Sequence, residues 1–263
     1  MVAVTSLDRG RALKAERAQM LAFCGGLGPA EWRMNSRAPG WRIQDVVAHL
    51  GSACHALLMP AAVKLMRAND IERANDAMVQ ARQDWPYPDV FAEYKRWSGV
   101  VVAVLPAVAR TPLGGVAAPL AELGRFPMRL LTSALVFDHH THLRHDMAPA
   151  VDRPVPGSDA NRMAVVLEWM MAVLSNQLRS TRPPWLDRPV SITLSGPGGG
   201  TWLVTADGSV VAGSEASADA QIRGVALEFP EWGTARTGWR ERDVQITGDV
   251  DYGTTFLDAL NIV

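Results

Sequence analysis

Apolar residues recur at helical spacing through the first half of the chain and alternate with polar ones through much of the second. Leu13, Met20, Leu21 and Cys24 share one face of a helix predicted over residues 6–25, which Gly26-Leu27-Gly28-Pro29 ends. A second helix follows Pro39-Gly40-Trp41 and carries Ile43, Val46, Val47 and Leu50, with Pro60 kinking or ending it. A third runs from about Asp89 to Ala107 and buries Phe91, Tyr94, Trp97, Val101 and Leu105. Residues 111–119 are rich in glycine and proline and read as a loop. A fourth helix starts near Pro127, a residue favoured in the first helical turn, and stops before Pro149. Shorter helical pieces fall between Lys64 and Arg82. The pattern predicts a four-helix bundle.

After a linker at 148–159 the texture changes. One more helix is predicted from Asp159 to Leu178. Then residues 190–195, 201–205 and 210–213 alternate around a Gly-Pro-Gly-Gly-Gly turn and an Asp207-Gly208 turn, the pattern of a strand meander. Residues 243–249 read as another strand and 255–260 as a short closing helix. The expected fold class is α+β, with a helical bundle over 1–148 and a small α+β domain over 156–263.

Composition narrows the setting. Apolar residues make up 48% of the 263 and charged ones 20%, which indicates a globular chain rather than a disordered one. The net charge is −1 and the basic residues are scattered, so no stripe offers a nucleic-acid footprint. No apolar run is long enough to span a membrane. Two cysteines, Cys24 and Cys54, are too few for a disulfide framework, and the charged N-terminal stretch lacks a secretion signal. These features predict a cytoplasmic protein.

All six histidines lie in the first 145 residues, in two clusters. On the fourth helix Asp138, His142 and His145 fall on the apolar, inward stripe, whereas His139 and His140 read as solvated surface. His49 lies at the margin of the apolar stripe of the second helix and can point inward; His55 falls on the polar side and is read as a non-ligand. Two imidazoles and a carboxylate from two helices leave an open coordination position, the layout of a catalytic zinc site. Nickel or iron accepts the same donors. His145 and Asp146 are rival ligands, and Asp146 is also placed to orient a liganding imidazole. The plain alternative for Asp138 and His142 is a buried hydrogen-bonded pair capped by Arg144 or Arg129.

Other motifs carry less. Cys24 lies on an apolar stripe, and Cys54 does not face its neighbour His55 on a helix. No nucleophile elbow, P-loop or dinucleotide fingerprint is present, and the glycine run at 196–200 reads as a hairpin. Asp45 suits the N-terminus of the second helix better than the role of a general base. Among nine tryptophans, Trp32 and Trp41 bracket the turn before the His49 helix.

The element W41-R-I-Q-D-V-V-A-H-L50, followed by D138-H-H-T-H-L-R-H-D146, resembles the mycothiol-dependent maleylpyruvate isomerase family. In the C-terminal half A220-Q-I-R-G, E231-W-G-T-A-R, V244-Q-I-T-G-D and T255-F-L-D-A-L are similar too, so the resemblance spans nearly the whole chain. It implies a DinB-like four-helix bundle that binds a divalent metal, followed by a domain related to sterol carrier proteins. Carried over by position, the implied ligands are His49, Asp138 and His142. The family usually has glutamate where this chain has Asp138, and aspartate is one methylene shorter. The family also places an arginine just after a Trp-Gly pair to bind thiol or substrate acid. Here Arg236 stands slightly late, and Arg240 competes with it.

The expected function is therefore that of a metal-dependent enzyme, with zinc as the ion. It uses mycothiol or another small thiol and acts as an isomerase or thiol transferase on a small electrophile. A thiol bound to such an ion ionises at neutral pH and becomes a nucleophile. The alternatives are a non-catalytic protein that binds metal or a small ligand, and a metal-dependent hydrolase with Asp45 as base.

Overall fold

The computed structural model describes residues 7–59 and 70–262. The expected break at Pro60, and the part of the 64–82 helical stretch before Asp70, lie outside the described residues. The chain divides into two compact units, one over Asp8–Gly157 and the other from Ser158 onward.

In the first unit α1 (Arg9–Gly25) starts at Asp8, whose side chain accepts from the backbone N–H of Arg11 and caps the helix. Then come α2 (Ile43–Leu57), α3 (Ile71–Gln80), α4 (Tyr87–Ala109) and α5 (Leu130–Thr141). Arg42 and Asp45 begin α2. The Asp45 carboxylate accepts from the Arg42 backbone N–H at 2.9 Å and from the Arg42 guanidinium at 2.8 and 2.9 Å. Every residue of α2 from Ile43 to Cys54 is buried, so the helix runs through the middle of the unit. Gly51 permits this: a Cβ there would stand 3.2 Å from the backbone of Tyr94 on α4.

Several local expectations change. The buried face of α4 is Val90, Tyr94, Ser98, Val101 and Leu105. Phe91 and Trp97 flank that face, because Phe91 packs against Trp32 and Trp97 stacks on His55. The expected loop at 111–119 ends in strand β1 (Ala117–Pro119), which pairs antiparallel with β2 (Arg125–Pro127). Pro127 thus closes a strand, and α5 begins three residues later. Beyond Thr141 the helix widens through His142–Met147, where the Ala148 N–H reaches the Leu143 carbonyl, five residues back, at 3.0 Å. The stretch after Ala148 is no free linker. Arg144 donates to the carbonyls of Pro156 and Gly157, and Arg153 pairs with Glu31.

The second unit opens with α6 (Ala160–Thr181), capped by Asp159. Its sheet has the order β5 (Val210–Ala212), β4 (Gly200–Val204), β3 (Val190–Ser195), β6 (Ala220–Val225), β7 (Gln245–Gly248). The expected meander holds for β3 to β5. Strand β6, which alternation alone did not single out, then lies parallel beside β3, with β7 antiparallel at the other edge. Val190, Ile192, Leu194, Ala220 and Ile222 make up the buried face of the sheet. The short α7 (Phe229–Trp232) follows β6. The closing helix α8 (Val250–Asp258) starts five residues earlier than expected, because Asp249 caps it. Among the described residues no helix is long and apolar enough to cross a membrane.

Candidate functional site

Two central helices bring polar side chains into the interior of the first unit, where such groups must meet partners. His49 on α2 has its Nε2 3.9 Å from Oδ2 of Asp138 on α5. The ring of His142 meets that of His49 edge to face, with centroids 5.2 Å apart. Asp146 stands behind His142, its Oδ2 2.7 Å from Nδ1, and is fully buried. With Nδ1 engaged by the carboxylate, Nε2 is the nitrogen of His142 left to a ligand. The Asp138 side chain is 31% exposed, against 5% for His49 and 10% for His142, so the group opens to solvent on the Asp138 side.

The three residues expected as ligands are therefore neighbours. Their donor set, two imidazoles and a carboxylate, suits a catalytic zinc ion. The His49–Asp138 separation is too long for a hydrogen bond between those two atoms. It approaches the ~3.4 Å between two ligands of one tetrahedral zinc with bonds of about 2.1 Å. Among the described residues no group of three or more His, Cys, Asp or Glu side chains stands close enough together, as placed, to hold a metal ion.

The rival ligands are placed elsewhere. His145 lies beside His140, ring centroids 6.4 Å apart, and Asp146 supports His142. The wide turn beginning at His142 rotates later residues away from the positions a regular helix gives them. Arg144, expected as a cap for Asp138 and His142, forms a buried ion pair with Glu16 at 2.7 Å.

His139 and His140 overturn the surface reading: both are buried, because α5 is covered on nearly all sides. The Nδ1 of His139 donates to the Leu135 carbonyl at 2.7 Å, and burial pushes its pKa down to about 4, so the ring is neutral. His55 stacks on Trp97 and meets Glu93 at 3.2 Å, away from the site. Asp45 has both carboxylate oxygens engaged by Arg42, which removes the base that a hydrolase reading needs. Cys24 and Cys54 are buried thiols. Burial raises both pKa values, that of Cys54 to about 12 with a smaller contribution from the Asp138 charge.

One neighbour escaped the sequence reading as part of the site. Trp41, eight residues before His49, packs its indole against both His49 and His142. The only signal was an amphipathic aromatic at the entry to the His49 helix.

In the second unit Arg236 is exposed and donates to the Thr234 hydroxyl at 2.8 Å. Arg240 is held by Asp258 through bonds of 2.5 and 3.0 Å and lies over the Trp239 ring.

Residues 13–142 match the model of the mycothiol maleylpyruvate isomerase N-terminal domain. This part of the chain belongs to that domain family. Two solved structures share the fold over most of the chain's length. One is the crystal structure of the mycothiol-dependent maleylpyruvate isomerase, 14% identical, with a TM-score of 0.58 over 92% of this chain and 93% of the other. The second is a histidine-to-alanine mutant of the mycothiol-dependent maleylpyruvate isomerase, 14% identical, with a TM-score of 0.57 and the same coverage. No curated protein matches the sequence.

Proposed function

We propose that this protein is a metal-dependent enzyme that uses mycothiol, or a closely similar small thiol, to isomerise a small electrophile or to transfer the thiol to it. The observation that carries the reading is the meeting of His49, Asp138 and His142, with His142 fixed by the buried Asp146. His49, Asp138 and His142 would hold a divalent cation, zinc on donor type. When bound, such an ion favours the thiolate form of a coordinated thiol at neutral pH.

The protein's own groups supply the rest. Asp146 keeps the His142 imidazole in one tautomer and orientation. Asp138, the most exposed of the three, lies where a thiol and its electrophile would enter. Neither cysteine of the chain competes as a nucleophile, since burial holds both thiols protonated. Arg236 and Arg240 are the two arginines offered for a substrate carboxylate; Arg236 donates to Thr234 and Arg240 to Asp258. Such a thiolate would supply reversible addition to an activated double bond, the chemistry that an isomerisation of this kind needs. A reducing compartment such as the cytoplasm keeps that thiol available.

Metal analysis of the wild type, His49→Ala and His142→Ala, followed by turnover of mycothiol with maleylpyruvate and with a generic electrophile, tests the reading. About one divalent ion per chain, lost in both variants, together with thiol-dependent turnover, supports it. A reconstituted wild type without metal removes the catalytic centre. Bound metal with no turnover of any thiol leaves a binding protein instead.

A further inference from the structure

Trp41 stands between the two imidazoles of the proposed centre and a carboxylate on a different helix. Its ring centroid is 5.1 Å from that of His49, with planes at 41°, and 6.2 Å from that of His142, with planes at 30°. Since the two imidazoles also meet each other, the three rings form one cluster. The indole Nε1 donates to Oδ1 of Asp76 on α3 at 3.0 Å. An indole offers a donor and no acceptor, so Trp41 is not itself a ligand.

The segment that delivers Trp41 is tied down on both sides. The Trp41 carbonyl accepts from the backbone N–H and the hydroxyl of Ser36, each at 2.8 Å. The N–H of Arg37 donates to the backbone carbonyl of Asp146 at 2.9 Å, and Asp146 is the residue that holds His142. Gly40 precedes Trp41 with φ +79°, a left-handed conformation that glycine adopts without strain. Immediately after Trp41, Arg42 and Asp45 start the helix that carries His49. The indole is thus fixed to the supports of both histidines.

We propose that Trp41 is a positioning residue. Its indole sets the mutual orientation of the His49 and His142 imidazoles and keeps water from one side of them, and Asp76 holds the indole in that pose. An imidazole bonded at one nitrogen still rocks about its side-chain torsion, and an aromatic surface against it limits that motion. Excluding water on that side also lowers the local dielectric and strengthens attraction between ligands and a cation. The effect on ion binding rests on the metal-centre reading above, whereas the placement of the rings does not.

The test compares wild type, Trp41→Phe, Trp41→Ala and Asp76→Ala. The imidazole signals of His49 and His142 are recorded by 1H–15N NMR on metal-free protein, and zinc affinity is measured by chelator competition. Asp76→Ala, which keeps the indole, shifts the signals of both histidines and weakens zinc binding several-fold. Trp41→Ala weakens it about 10- to 100-fold, the range for groups that support ligands, and Trp41→Phe restores most of the loss. Asp76→Ala leaving both imidazole signals at their wild-type positions overturns the proposal, as does a folded Trp41→Ala that binds zinc like wild type. If Trp41→Ala does not fold, Asp76→Ala and Trp41→Phe decide. If wild-type protein takes up no zinc, the metal-centre reading falls, and the Asp76→Ala imidazole signals alone decide the positioning role.

Discussion

Asp146 carries its carboxylate 2.7 Å from Nδ1 of His142, one turn back on the same segment, and both residues are buried. A buried carboxylate needs a strong donor beside it, and an imidazole held in this way has one tautomer and one orientation. The pair therefore works as a unit, with Asp146 acting through His142.

Replacing Asp146 with Asn removes the charge but keeps the shape. Asp146→Asn should lower affinity for a divalent ion about 10- to 100-fold, because the neutral amide no longer raises the basicity of the imidazole. Chelator competition with zinc measures this. An unchanged dissociation constant would show that His142 is not a ligand or needs no support.

Asp138 separates the ligand reading from the hydrogen-bond reading. Asp138→Ala should abolish metal uptake while the fold persists, since this side chain is partly exposed and its loss opens no core cavity. Asp138→Glu supplies the longer carboxylate that the family resemblance implies at this position and should retain the ion. Elemental analysis of both variants checks the pair of outcomes, and full metal content in Asp138→Ala would exclude Asp138 as a ligand.

His139 predicts acid sensitivity. Its pKa in the folded protein is about 4, depressed from 6.5 by burial, so between these values the unfolded chain binds more protons. Stability is then complete above about pH 6.5 and falls as pH drops toward 4. A shift of this size corresponds to about 3 kcal/mol. Urea denaturation of metal-free wild type and His139→Gln at several pH values isolates the effect. Wild type and variant should differ in slope between pH 6.5 and 4, and parallel profiles would remove the assignment.

The two cysteines should be silent in the native protein. Cys24 and Cys54 are buried, and their raised pKa values leave almost no thiolate at pH 8. A chromogenic disulfide should label neither thiol until denaturant is added, then both. Fast labelling of the native protein would mean that a thiol of the chain could take the role assigned to mycothiol.

The helices α1, α2 and α4, the strands β3 to β5 and the neighbourhood of His49, Asp138 and His142 were legible in the chain. Local apolar spacing and the reach of one helical turn set these features, and the resemblance to a known family agreed with them. Other features depend on contacts distant in sequence. His139 and His140 looked like surface because a helical wheel assumes one dry face, whereas α5 is covered on nearly all sides. Strand β6 takes its place by pairing parallel with β3, a contact across thirty positions that local alternation does not reveal. His145 left the expected stripe because the backbone widens from His142 onward, which changes the angle per residue. Trp41 came beside the two histidines only when the 34–42 segment folded, Ser36 bonding to the Trp41 carbonyl and Arg37 to that of Asp146. By itself the sequence determined which residue types could make a metal centre and which two helices would carry them. The tertiary structure decided which of those side chains meet, because burial on all faces, a widened helical turn and long-range backbone bonds do not follow from local periodicity.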